Sequence, residues 1–366
     1  MQITTPYQPA LADRRWQIVR AMLGLNIIAL WAMFFGGQWD AAEHAKGAVD
    51  RFWYPPHYGI YFALLVSLLV SGAGLVMLLR GPGLPFDKLR RNAALTLVVI
   101  ANALNVSAAP FDAWWHTVFG LDLTVWSPPH LHMLLGTVLA ALGCAVYFLD
   151  DRPAGAPMRR FRSFARRDAW LLGALLIALL IGSFMFIEYE MNVLSRDVLA
   201  RPDWTYPLLW PWFAGAGCAL VAAITRRVGM ATLLGGLYIG ARLLIMAFNQ
   251  VVLNYDGGWF YPLLIPALAF DLGLILLWPR LGLRRPWLAI AAIGLLVAAV
   301  VTITTPLWWS WLGGDPRLRV TPWSSAWPIS LISGTLGALL GWWGGATLRR
   351  LRPTPESPTV GDVVTR

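Results

Sequence analysis

Apolar runs of about twenty residues recur along this chain, and nothing else in it constrains the fold as strongly. A helix rises 1.5 Å per residue, so about 20 residues cross the hydrocarbon core of a bilayer. A backbone inside lipid finds no water, so a crossing segment must satisfy its own N–H and C=O groups, as a helix does. Alternating strand patterning is absent, and the runs therefore predict helices. They lie near residues 16–37, 58–79, 92–112, 131–149, 170–189, 207–224, 228–252, 262–278, 286–304 and 328–348. The expected fold class is all-α: a polytopic membrane helical bundle of about 10 transmembrane helices. Composition agrees, with 58% hydrophobic and 13% charged residues, where a soluble domain carries about 25% charged.

A net charge of +10 would suggest a nucleic-acid partner if it were spread at random. With ten spans it is not: Arg14, Arg15, Arg80, Arg90, Arg91, Arg159, Arg160, Arg162, Arg284, Arg285, Arg349 and Arg350 fall on one side. That bias marks the cytoplasmic face, so no nucleic acid is invoked. It places the chain in the inner (plasma) membrane with both termini cytoplasmic and the lipid bilayer as its first partner. Many of the 21 tryptophans stand at span ends, as an aromatic belt does. Cys144 and Cys218 fall inside apolar runs and suggest neither disulfide nor thiolate site. Residues 1–12 are polar and do not read as a cleaved leader.

The longest cytoplasmic connection expected, Asp150–Arg167, is basic and carries Pro and Gly. It divides the chain into residues 1–149 (spans one to four), a loop at 150–168, a second bundle at 169–348, and a tail at 349–366 that reads as disordered.

The first bundle contains a repeat. Asp40, Ala41, His44 and Asp50 return 72 positions later as Asp112, Ala113, His116 and Asp122. After one inserted residue, Pro55-Pro56-His57 returns as Pro128-Pro129-His130. Each copy lies between two apolar runs, so spans one to four form an internal hairpin repeat.

All five histidines sit at these two outer loops: His44, His57, His116, His130 and His132. Asp and His at i and i+4 share a helix face, and the Pro-Pro pair starts the next helix with His beside them. Each copy thus offers two imidazoles and a carboxylate, a set that leaves a coordination position open. The candidate metal ligands are Asp40, His44 and His57, and Asp112, His116 and His130. Imidazole suits copper, zinc and iron alike. Asp50 and Asp122 are candidates for orienting an imidazole N–H. His132 reads foremost as a hydrogen-bonded interfacial residue, and Glu188 as a span cap able to supply a further carboxylate.

These motifs resemble the metal-binding segment of the C subunit of particulate methane and ammonia monooxygenases. The resemblance runs from Trp39 to Gly136, and Asp112–Gly136 carries it most clearly. The family's second ligand set begins with Asn where this chain has Asp112. The resemblance implies one metal ion per triad, copper first, at the periplasmic membrane edge. It further implies dioxygen chemistry on a small apolar substrate, companion membrane subunits and an external electron donor. The residues taken alone leave two other classes open: metal transport, delivery or sensing, and a structural or assembly role. Elsewhere, Arg242 and Asp271 are expected to pair across spans seven and eight, and Gly337, Gly341 and Gly345 to let helices pack closely.

Overall fold

A computed structural model describes residues 9–47, 51–80, 84–120, 126–152, 156–185, 205–255, 262–282, 284–311 and 326–353. Among them stand α1 (Pro9–Ala45), α2 (Pro55–Leu79), α3 (Pro85–Arg91), α4 (Ala93–Phe119) and α5 (Pro128–Tyr147). Then come β1 (Arg159–Arg160), α6 (Arg166–Ser183), α7 (Thr205–Thr225), β2 (Arg227–Val228) and α8 (Met230–Val251). The chain continues through α9 (Leu264–Leu277), a π-turn at Trp278–Gly282, α10 (Pro286–Trp311) and α11 (Trp327–Arg350). The molecule is an all-α polytopic bundle, and among the described residues nine helices are long and apolar enough to cross a membrane. The remaining long helix, α6, opens on Arg166, Arg167 and Asp168, and the end of its expected run at 170–189 lies outside the described residues.

The repeat has a structural basis in how its helices start and stop. Pro55 and Pro128 occupy the first turns of α2 and α5, where the missing N–H costs no helix bond. Gly47 and Gly120 close α1 and α4 at φ of +85° and +86°, a region that disfavours side chains. Each copy therefore ends one helix a turn beyond its Asp-x-x-x-His and begins the next just before its second His.

Between these hairpins lies a buried polar knot. The Asn102 amide on α4 reaches Asn26 Oδ1 at 2.8 Å, Ser71 Oγ at 3.0 Å and the Ser67 carbonyl at 3.1 Å, joining α1, α2 and α4. Asn26 in turn donates to Cys144 Sγ on α5 at 3.3 Å. Hydrogen bonds between membrane helices contribute about 0.6 kcal/mol each. Asn102→Ala is thus expected to destabilise the detergent-solubilised protein by about 1–2 kcal/mol, measured by thermal unfolding.

One core cluster runs from Val19 on α1 to Trp342 on α11, so the two bundles flanking the basic loop share an interior. That loop is itself anchored. β1 pairs in parallel with β2, and buried Asp150 receives Arg349 Nη2 at 2.6 Å, Arg159 Nη2 at 3.0 Å and Arg152 Nε at 3.1 Å. Burial raises the Asp150 pKa, but hydrogen bonds and charge from Arg349 and Arg152 outweigh it and hold the group at about 2. A carboxyl depressed in the fold stabilises it above the ordinary value of 3.8 and loses that contribution as pH falls toward the folded value. Asp150→Ala should cost about 3–5 kcal/mol at neutral pH. It should also flatten the loss of thermal stability expected in the parent between about pH 4 and 2.

The expected Arg242–Asp271 pair does not form. Asp271 instead caps α8, accepting from Gly229 N at 2.9 Å, Thr232 N at 2.8 Å and Thr232 Oγ1 at 2.7 Å. Arg242 stands ten residues further along α8, about 15 Å away at helical rise. The unsatisfied N–H groups and positive dipole end of α8 attract the carboxylate locally, and α8 has no side-chain cap of its own.

Candidate metal centre

The histidine hairpins meet at the end of the bundle opposite Asp150, since α5 carries the chain about 25 Å from His130 to Tyr147. Asp40 and His44 occupy the last turns of α1, where the negative end of the helix dipole favours a cation. His57 enters from the first turn of α2. Asp40 Oδ1 lies 3.5 Å from His44 Nε2 and 3.2 Å from His57 Nε2. The three ligand atoms all fall within 4.8 Å of one another.

His57 shows why this grouping suits a cation. Its ring is buried, with Nδ1 3.3 Å from the Phe52 carbonyl and 3.5 Å from the Tyr61 hydroxyl. A carbonyl only accepts, so Nδ1 carries the proton and a neutral ring presents a lone pair at Nε2. That lone pair faces a carboxylate oxygen, which repels it unless a proton or metal ion stands between them. Asp40 Oδ1 is enclosed between the two rings. An ion bonded at 2.0–2.2 Å to nitrogen and oxygen separates tetrahedral ligand atoms by about 3.4 Å, close to the spacings found. The residues fit a metal.

The second triad is built alike and is more open. His116 Nε2 and His130 Nε2 lie 3.7 Å and 3.9 Å from Asp112 Oδ1, yet the two ring nitrogens stand more than 4.8 Å apart. Two ligands of one ion are at most about 4.4 Å apart, so these rings must close to share it. His130 Nδ1 meets the Ser127 hydroxyl at 2.9 Å, a partner that can give or take a proton and so does not fix the tautomer. Pro110 also interrupts the α4 ladder two residues before Asp112, where α1 has Gln38.

His132 serves the packing of α5 on α4. Its Nε2 lies 2.9 Å from the Leu104 carbonyl and 3.1 Å from Ser107 Oγ, and it hydrogen-bonds neither triad. Asp50, Asp122 and Glu188 lie outside the described residues. The helical spacing of Tyr61 from His57, i and i+4, was a signal that the sequence reading passed over; so was Ser127 directly before Pro128-Pro129-His130. The role of Phe52 rests on its backbone and leaves no mark in residue identity. Phe52, Trp53 and Tyr61 pack edge to edge beside His57, walling the site on the α2 side.

Lys46 fixes the same loop to the second bundle, reaching Glu43 Oε1 at 2.6 Å and the Leu253 carbonyl at 2.9 Å. Comparison with protein-family models, with curated proteins and with solved structures finds no match, so the site is argued from its own geometry.

Proposed function

We propose that this membrane-helical protein is a metalloprotein whose Asp40, His44 and His57 hold one transition-metal ion, with Asp112, His116 and His130 forming a second, weaker site. Copper is the metal to which the sequence resemblance points; zinc and iron share the ligand preference. The single observation that carries this reading is the convergence of one ligand atom each from Asp40, His44 and His57 to within 4.8 Å of one another.

We further propose that the site oxidises a small apolar substrate with dioxygen. A bound copper ion would supply the redox chemistry, and electrons must come from a separate donor such as a quinol, since no flavin or haem motif is present. The chain's own part would be to orient His57 through Phe52, present a carboxylate from Asp40, and offer an apolar surface for substrate in Phe52, Trp53 and Tyr61 beside His57. An apolar substrate would partition into that wall from the bilayer. Passage of an ion through the bundle is the less favoured alternative. One to two turns inward from the triad, Met33, Ile60, Ala63 and Leu64 form a buried apolar cluster, in which the only donor atom is the Met33 thioether, already accepting from Thr137 Oγ1, and which offers an ion moving inward no imidazole or carboxylate.

The test is dioxygen uptake by copper-loaded protein in nanodiscs, supplied with a quinol and a short alkane. The parent should consume oxygen, and the His44→Ala/His57→Ala variant should fall to background. Equal uptake by both would refute the oxidase reading while leaving metal binding to be measured separately.

A further inference from the structure

Arginines at the end of the bundle opposite the histidines sort into two kinds. Arg152, Arg159, Arg227 and Arg349 converge on Asp150, Arg227 also reaches Asp168, and Arg167 and Arg352 reach Asp151. These are consumed by the fold. Arg160, Arg162 and Arg166 are exposed and have no carboxylate partner among the described residues.

The second set is ordered by the chain. The Phe161 amide extends the β1–β2 pairing through the Val228 carbonyl at 2.9 Å, and the segment then runs to Ala165, whose backbone is extended at φ −102° and ψ 153°. Phe161 packs against the core. Arg160, Arg162 and Phe164 are alternate residues leading out of β1, and alternate residues of an extended chain share a face; Arg166 follows as the first residue of α6. Phe164 is 57% exposed, and Trp170, one turn into α6, is 38% exposed. This is a stripe of three cations and a phenyl ring at the mouth of an apolar helix.

We propose that this Arg160–Arg162–Phe164–Arg166 stripe is a binding site for the headgroup of an anionic phospholipid. The arginines would take the phosphate, with Phe164 and Trp170 lying against the acyl region. The charge selects the partner: a phosphate bears oxygens that guanidinium donors match in pairs. The apolar ring between the cations selects a lipid over a free ion. Basic residues beside an anionic bilayer surface each contribute about one decade or less in affinity at physiological salt.

The experiment is native mass spectrometry of the full chain released from nanodiscs of phosphatidylcholine containing one part in five phosphatidylglycerol. The parent should retain phosphatidylglycerol over phosphatidylcholine, and Arg160→Gln/Arg162→Gln/Arg166→Gln should reduce that preference by roughly tenfold or more. Arg80→Gln/Arg91→Gln/Arg284→Gln removes the same charge from exposed positions elsewhere and should keep it. Retention unchanged in the stripe variant, or lost equally in both, overturns the proposal. So does displacement of the retained lipid by inorganic phosphate, which would mark an anion site without lipid selectivity. Circular dichroism of the stripe variant, expected to match the parent, separates lost binding from lost fold.

Discussion

His57→Ala should weaken the tighter metal-binding phase by more than about 100-fold, beyond the 10–100-fold typical of losing an outer partner of a ligand. His130→Ala should leave that phase intact and remove only the weaker one. The difference follows from preorganisation. In the first triad the ligand atoms already stand near bonding separations, and the Phe52 carbonyl holds the tautomer in which His57 Nε2 can donate to a metal. In the second, His116 and His130 must approach before one ion can touch both, and that movement is subtracted from the binding free energy. Titration with Cu(II) followed by isothermal calorimetry, with competing chelator for the tight phase, reads both affinities. Tyr61→Phe leaves the Phe52 contact in place and should change the affinity little.

The second large effect belongs to the packing of α11 on α7. Gly341→Leu should prevent the two helices from seating and yield little folded protein by size-exclusion chromatography in detergent. A Cβ on Gly341 would lie 2.1 Å from the Ala216 carbonyl oxygen, one on Gly337 2.3 Å from that of Trp212, and one on Gly345 2.6 Å from that of Leu220. These are backbone atoms, so no rotamer change relieves the clash, and the helices must separate along several turns. Overpacking usually costs about 1–3 kcal/mol; a wedge at the narrowest point of such a seam should exceed that range. Gly344 has nothing within 4 Å of its Cβ position, and Gly344→Leu on the same helix should be tolerated, which separates steric loss from helix propensity. Helix association in a bilayer depends on such close approach, because lipid removes the hydrophobic drive that works in water.

Much of this was legible in the residues, for reasons that can be named. Spans are set by the thickness of the bilayer and so appear directly as run lengths. The glycine seam appears as a four-residue period. Both triads appear because each combines an i, i+4 pair with a proline-initiated helix, and both patterns fix geometry locally. What was not legible depends on distant backbone. Asp271 was expected opposite Arg242 because both are charged residues in neighbouring spans, but the free N–H groups at the start of α8 carry no side-chain signature. The inequality of the triads was equally hidden, since Asp112, His116 and His130 repeat the residue types of Asp40, His44 and His57 while standing further apart. The loop at 150–168 read as a solvated basic connector. Its Asp150 instead gathers Arg349 from nearly two hundred residues away, a pairing that only the assembled bundle specifies.

Metal content per chain, measured by inductively coupled plasma mass spectrometry on protein purified in detergent without added chelator, tests the central claim most directly when set beside His44→Ala/His116→Ala. The parent should carry copper, or another ion of the same ligand preference, in defined proportion to protein, and the double variant, still folded by circular dichroism, should carry none. Equal metal in the two proteins, or none in a parent that also fails to take up copper on titration, would contradict it.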